Sequence, residues 1–161
     1  MKYCQECGSM LEDRPLEHEG IVPFCPSCQE YRFPMYNVAV SMIVVNEENG
    51  KLLLVKQYGK DFNRLVAGYV NRGEKLEHAA ARELNEEMNL TAAAIHFNRT
   101  AFYEPSNTLM CNFTVSVADD SAAAPNYEID EYAWFTPEEA RQAVKPGTLA
   151  GFFLNRYLEE G

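Results

Sequence analysis

Four of the five cysteines in this 161-residue chain fall within its first 28 residues, as the pairs Cys4-x-x-Cys7 and Cys25-x-x-Cys28 with 17 residues between them. That spacing suits a Cys4 zinc ribbon. The short spacer turns both thiolates of each knuckle toward one tetrahedral ion, and the arm between the knuckles folds back as a hairpin. Gly8, directly after the first knuckle, fits the tight turn required there. The surrounding segment, about 1–34, is rich in Cys, Pro, Gly and charge and has almost no aliphatic run. It cannot build its own core and needs a staple. Two disulfides or a redox pair are the competing readings. No signal peptide is visible, and two pairs in so short a stretch favour metal. With Cys4, Cys7, Cys25 and Cys28 all engaged, Zn²⁺ would have no open position, so its role would be structural. Zinc ribbons also bind nucleic acids and proteins, which keeps a non-enzymatic role open. Cys111 stands alone in an apolar stretch and reads as a buried small hydrophobe.

From Tyr36 the texture changes. Val38 to Val45 reads as a largely buried strand, Asn46 to Gly50 as a turn, and Lys51 to Gln57 as a returning strand, together a hairpin. Leu65 to Val70 is a short strand, followed by a turn at Asn71-Arg72-Gly73. Leu76, Ala80, Leu84 and Met88 recur every four residues, with Ala79 beside them, which predicts a helix over 76–88. Strands are expected near Ala92 to Phe97, at Leu109 to Val117 and at Tyr132 to Phe135. Thr136-Pro137-Glu138-Glu139 is a capping box with proline at the first helical position, and a last helix is expected over 148–159. This order predicts a mixed sheet covered by helices on both faces.

The formal charge of −10 has the wrong sign for a general nucleic-acid binder, which needs clustered Lys and Arg against phosphate. No apolar run is long enough to cross a bilayer. The chain is expected in the cytoplasm. Excess carboxylate is either a solvated surface or a set of ligands awaiting divalent cations.

The predicted helix by itself suits either alternative, and the residues just ahead of it favour the second. Glu83 and Glu87 rise from one face a turn apart, with Glu86 beside them. Such carboxylates repel one another in a bare helix but suit hard divalent ions, which bind through oxygen. Arg82 adjoins them and can orient a carboxylate by charge-assisted hydrogen bonds. Gly68 and Gly73 permit close backbone approach just before the helix, and Glu74 sits at its entry, where the dipole favours an anion.

Together Gly68, Glu74, Arg82, Glu83, Leu84, Glu86, Glu87 and Leu90 resemble the Nudix box: glycine, five residues, Glu, seven residues, then Arg-Glu-apolar-x-Glu-Glu-x-Gly-apolar. Asn89 stands where the family has glycine; asparagine is the next most tolerant residue of a left-handed helix end. The resemblance implies an α/β/α sandwich with a mixed sheet over residues 35–161, behind the ribbon of residues 1–34. It implies a loop-helix-loop holding Mg²⁺ or Mn²⁺, with Glu83, Glu86 and Glu87 as ligands, Glu86 also a candidate base, Arg82 holding the carboxylates in place and Glu74 structural.

Within the family the chain is similar to the NADH pyrophosphatase branch. The ribbon ahead of the Nudix domain, the exit Tyr31-Arg32-Phe33-Pro34, the run Glu128 to Phe135 and the run Pro146 to Ala150 carry that likeness. It implies a further metal ligand at Glu128, substrate contacts at Phe33, Ala67, Tyr103 and Ala150, and a homodimer. The branch's Ser-Gln-Pro-Trp-Pro-Phe-Pro-x-Ser signature is replaced here by Thr100 to Met110, where Tyr103 could stand in for a stacking tryptophan. The expected reaction is hydrolysis of NAD(H) to NMN(H) and AMP, with ADP-ribose or another nucleotide sugar as the alternative substrate. Nucleic acid is not an expected partner, NAD-capped RNA excepted. The alternative of another class is a non-catalytic Nudix-fold ligand sensor whose ribbon binds a nucleic-acid or protein partner. His78 is expected to be exposed, and Trp134 and Phe152-Phe153 to serve core or dimer contacts.

Overall fold

A computed structural model describes residues 1–160 and divides the chain into two units, Met1–Tyr36 and a second from Asn37 onward. The first is a three-stranded antiparallel sheet of β1 (Glu12–Leu16), β2 (Gly20–Cys25) and β3 (Glu30–Tyr31), in that order. Its apolar burial is slight: Val22 and Phe24 are buried together with Cys4 and Cys25. Phe24 is flanked by the Arg14 guanidinium, 4.0 Å from the ring centre, and by the edge of Tyr31. So small a core matches the need for a staple read from composition. Gly8 takes φ 74°, the left-handed turn expected after the first knuckle.

In the second unit β4 (Asn37–Asn46) is the central strand. Its side chains alternate across the sheet. Val40, Met42 and Val44 join one core cluster, while Ile43 joins the other. β5 (Leu52–Gln57) splits likewise, with Leu53 and Val55 on one face and Leu52 and Leu54 on the other. The first cluster receives Ala79, Ala80, Leu84 and Met88 of α1 (Leu76–Met88). The second receives Ala140 and Val144 from α2 (Pro137–Ala143) and its end, and Phe153 and Leu154 of α3 (Leu149–Glu160). Helices therefore cover both faces of a mixed sheet, giving the α/β/α sandwich.

The sheet runs β7 (Ala94–Tyr103), β8 (Thr108–Val117), β4, β5, β9 (Ile129–Phe135), with β6 (Val66–Tyr69) also on β4. β4 and β8 are parallel over ten registered pairs. The expected hairpin of β4 and β5 is almost absent: only Val45 and Leu52 register. β6 takes the first half of that edge of β4, pairing Ala39–Met42 with 66–69, and β5 pairs along its length with β9. Residue pattern identified both strands, but the local turn at Gly50 does not reveal that a later strand competes for the same edge. β7 runs from Ala94 to Tyr103, well beyond the expected end at Phe97, passing an irregularity between Phe97 and Arg99. β9 likewise begins three residues before Tyr132. The capping box at Thr136 and Glu139 forms as expected, in both directions. Phe153 is core and Phe152 is exposed, so the pair divides between two roles. Among the described residues no helix is long and apolar enough to cross a membrane.

Candidate active site

α1 presents its carboxylates because its opposite face is committed to the core: Ala80, Leu84 and Met88 are fully buried. Arg82 then organises the segment ahead of it. Its Nε and Nη2 donate to the two carboxylate oxygens of Glu74 at 2.8 and 2.9 Å. Nη1 donates to Glu83 at 2.7 Å and Glu86 at 3.1 Å, and Nη2 also to the Tyr69 carbonyl at 3.1 Å. A guanidinium has five N–H groups in a fixed fork, and these five contacts employ them all. Glu74 accepts a further bond from the Asn71 amide at 2.9 Å, and with Arg82 beside it the carboxyl is held down to about 2. This bears on Glu74 as a bracket between the turn and the helix, as expected from its place in the sequence.

Two residues show why their types are needed. A Cβ on Gly68 would lie 1.9 Å from the carboxyl carbon of Glu83, so β6 passes directly under that side chain. Asn89 ends α1 with φ 55° and ψ 27°, its amide bonding to the Asn85 carbonyl and its side chain donating to the Ala122 carbonyl at 2.9 Å. The departure from glycine is thus accommodated in the left-handed region, with a side-chain bond that glycine could not make.

Glu87 is 3% exposed. Burial first, then the neighbouring Glu83 and Glu128 charges, push its carboxyl up to about 8, opposed by a 3.0 Å hydrogen bond from Gln57. A carboxyl so placed is protonated at neutral pH unless a cation joins it. Glu128 enters from the segment just before β9 and accepts a hydrogen bond from the Tyr58 hydroxyl, which raises the Tyr58 phenol to about 12. Tyr58 itself sits at φ 56°, and Asp130 caps the next amide, that of Gly59, at 2.7 Å.

A cavity of about 610 Å³ opens between these groups, bordered by Glu83, Glu86, Glu87, Glu128, Arg82 and Ala67. A second lobe of about 380 Å³ is bordered by Ala67, Tyr103 and Ala150. Arg64, Leu65, Ala67, Ser106 and Met110 border both lobes. All the expected site residues from the second unit therefore border one or the other of two adjoining cavities, and Phe33 belongs to the first unit, where it is exposed. Gln57, Tyr58 and Arg64 were not expected at the cavity. They precede the box, and no spacing ties Gln57 to Glu87 on α1 or Tyr58 to Glu128, the partners each meets by a hydrogen bond. Arg64 borders the same cavity, its backbone held by pairing with Val55.

The two ion candidates differ in chemistry. Sγ of Cys4, Cys7, Cys25 and Cys28 all lie within 4.8 Å of one another, and none is in a disulfide. The separations Cys4–Cys28 and Cys7–Cys25 are 3.9 and 3.5 Å. Zn–S bonds of ~2.3 Å at tetrahedral angles place sulfurs ~3.8 Å apart, so this quartet fits zinc. Arg32, itself buried, donates from Nε to the Cys4 sulfur at 3.4 Å, the main reason that thiol is lowered to about 6. The carboxylates on and near α1 are all-oxygen donors and fit a hard cation such as Mg²⁺ or Mn²⁺. Their oxygens do not converge as closely as the cysteines: Glu83 and Glu86 lean on Arg82, Glu87 on Gln57 and Glu128 on Tyr58.

The sandwich with an acid-bearing helix beside its central strands defines a hydrolase scaffold of one family. A NUDIX domain matches residues 35–152, and the chain belongs to the Nudix hydrolases. Among curated relatives it is 25% identical over 159 residues to the NAD-capped RNA hydrolase NudC of Stutzerimonas stutzeri, covering 98% of this chain and 56% of that protein. It is 23% identical over 160 residues to the human NAD-capped RNA hydrolase NUDT12, covering 95% of this chain and 35% of that one. The chain thus spans about half or less of the length of these relatives. Among solved structures, a Nudix hydrolase from Nitrosomonas europaea superposes with a TM-score of 0.67 at 25% identity, over 99% of this chain and 92% of that one.

Proposed function

We propose that the chain hydrolyses the diphosphate linkage of a nucleoside diphosphate derivative, NAD(H) foremost, to NMN(H) and AMP, with Mg²⁺ or Mn²⁺ at the acidic lobe. The observation that carries this reading is the buried Glu87 carboxyl, raised to about 8 among Glu83, Glu86 and Glu128 at the wall of an open cavity. A purely structural role does not account for burying one carboxyl among three others, because like charges disfavour each other there. A functional site accounts for it directly.

Glu83, Glu86, Glu87 and Glu128 would hold the cation, which would supply a nucleophilic hydroxide at neutral pH and offset charge on the diphosphate oxygens. Arg82 keeps Glu83 and Glu86 oriented while Glu74 fixes Arg82. Gln57 holds one oxygen of Glu87 in place. Glu86, with 56% of its side chain exposed, is the carboxylate freest to accept a proton from attacking water. Ala67 and Ala150 border the path of the organic half, Tyr103 offers a ring against it, and Phe33 is a further proposed contact. Zinc in the cysteine quartet would hold the ribbon together. The likeness to relatives named NAD-capped RNA hydrolases supports NAD as the substrate moiety, free or as an RNA cap. The altered stretch Thr100 to Met110 keeps ADP-ribose as the alternative.

The test is a panel of NADH, NAD, ADP-ribose and a sugar nucleotide, compared by kcat/KM with and without Mg²⁺ or Mn²⁺. We expect NADH or NAD to lead, with turnover abolished by chelation and by Glu87→Gln. No turnover of any compound, or a Glu87→Gln variant as active as the parent, would refute the proposal.

A further inference from the structure

Five arginines are buried or half-buried: Arg14, Arg32, Arg64, Arg82 and Arg99. Arg14 pairs with Glu12, Arg32 with Glu6 and Glu30, Arg82 with three glutamates and Arg99 with Glu160. Among the described residues, Arg64 alone of these has no carboxylate within salt-bridge distance. Its Nε is buried without a hydrogen-bond partner. Its backbone is fixed by two hydrogen bonds with Val55, at 2.8 and 3.0 Å, so the side chain is anchored rather than trailing from a loop. The guanidinium lies 4.3 Å from the ring centre of Phe62, and the Lys145 ammonium lies 5.2 Å from the same centre. In a chain of net charge −10, two cations gathered on one ring, with no acidic partner among the described residues, make a place for an anion from elsewhere.

Place and shape indicate which anion. Arg64 borders both the acidic lobe and the second lobe, where Phe62 and Tyr103 supply aromatic surface. The carboxylates of the first lobe repel a phosphate, whereas a guanidinium fork on the boundary grips it in two places. A ring-stacked guanidinium is also pre-oriented, so little freedom is lost on binding. We propose that Arg64 is a specificity-determining residue that binds the phosphate of a nucleoside monophosphate unit whose organic part lies in the lobe of Phe62, Tyr103 and Ala150.

This deepens the proposed function, since such a unit is half of a dinucleotide and one product of its hydrolysis. Arg64 thereby favours phosphate-bearing ligands over bare nucleosides, and it retains the product as well as the substrate.

The experiment is calorimetric titration of the full chain with AMP and with adenosine, for the parent, Arg64→Gln and Arg64→Lys, beside KM for the best-hydrolysed compound. Circular dichroism melting checks that each variant folds. A charge-assisted hydrogen bond lost at this site weakens AMP about tenfold or more. We expect that loss in Arg64→Gln, a smaller one in Arg64→Lys, adenosine within about twofold of the parent, and a rise in KM exceeding any fall in kcat. AMP affinity unchanged in Arg64→Gln, or adenosine weakened as much as AMP, overturns the inference while leaving hydrolysis intact. Arg64-dependent AMP binding in a protein that cleaves nothing upholds the inference and overturns the proposed reaction.

Discussion

Replacing Glu87 by glutamine should stabilise the metal-free protein at neutral pH. The carboxyl is 3% exposed and raised from 4.5 to about 8 by burial and by Glu83 and Glu128. In the unfolded chain it ionises near its ordinary value. A folded pKa above the unfolded one means that the folded state holds the extra proton, so stability is full below the unfolded value and is lost as pH rises through the folded value. At ~1.4 kcal/mol per pH unit between the two values, the loss from this group reaches about 3 kcal/mol at pH 7 and levels off above pH ~8. Glutamine is neutral throughout and can still accept the bond from Gln57. In EDTA, the melting temperature of the parent should fall from pH 5 to pH 8, while Glu87→Gln should hold a flatter course. The gap at pH 7 should be about 6–12 °C, from ~2–4 °C per kcal/mol in a chain of this size. A bound cation displaces the proton, so Mn²⁺ should close the gap and release protons, seen as calorimetric heats that depend on buffer ionisation enthalpy. Parallel pH profiles for the two proteins in EDTA would mean that Glu87 does not take up this proton on folding.

Gly68→Ala places a methyl group 1.9 Å from the Glu83 carboxyl carbon. We expect kcat down by about 100-fold, because misplacing a reacting group by ~1 Å costs that much, with the circular dichroism spectrum retained. Cys25→Ser should reduce bound zinc, measured by elemental analysis, from one ion per chain to none, and should unfold the unit of residues 1–36 without abolishing the signal of α1. Asn89→Ala should destabilise by about 2 kcal/mol, from ~1 kcal/mol for left-handed backbone and ~1 kcal/mol for the lost bond to Ala122. Asn89→Gly recovers the first of these only, and urea denaturation separates the two variants.

The acidic helix and the cysteine quartet were legible because each is a local pattern whose spacing matches its chemistry. Leu76 to Met88 carries a four-residue apolar period, and the cysteines carry their own turn at Gly8. The capping box at Thr136 was legible for the same reason. What escaped was long-range. Val45 and Leu52 flank an evident turn, yet nothing local states that β6 will occupy most of the adjoining edge of β4. Arg64 and Gln57 carry no motif. Each acquires meaning only from the groups that other strands bring to it, or, for Arg64, from the carboxylate that none brings. Glu128 was found through family likeness, since a single Glu in Tyr127 to Tyr132 has no spacing to recommend it.

The parallel register of β4 with β8 bears on when activity can first exist as the chain folds. Parallel neighbours cannot be joined by a tight turn, and here the connection from Asn46 to Thr108 contains β5, β6 and α1, hence Arg82, Glu83, Glu86 and Glu87. The principal carboxylates ride inside the very loop whose closure builds the sheet, and Glu128 arrives only after it. Closing such a loop is a slow, non-local event. A chain that has formed α1 therefore possesses the box without a cavity to serve. Refolding should return helical signal ahead of hydrolysis, with the interval set by the β4–β8 pairing.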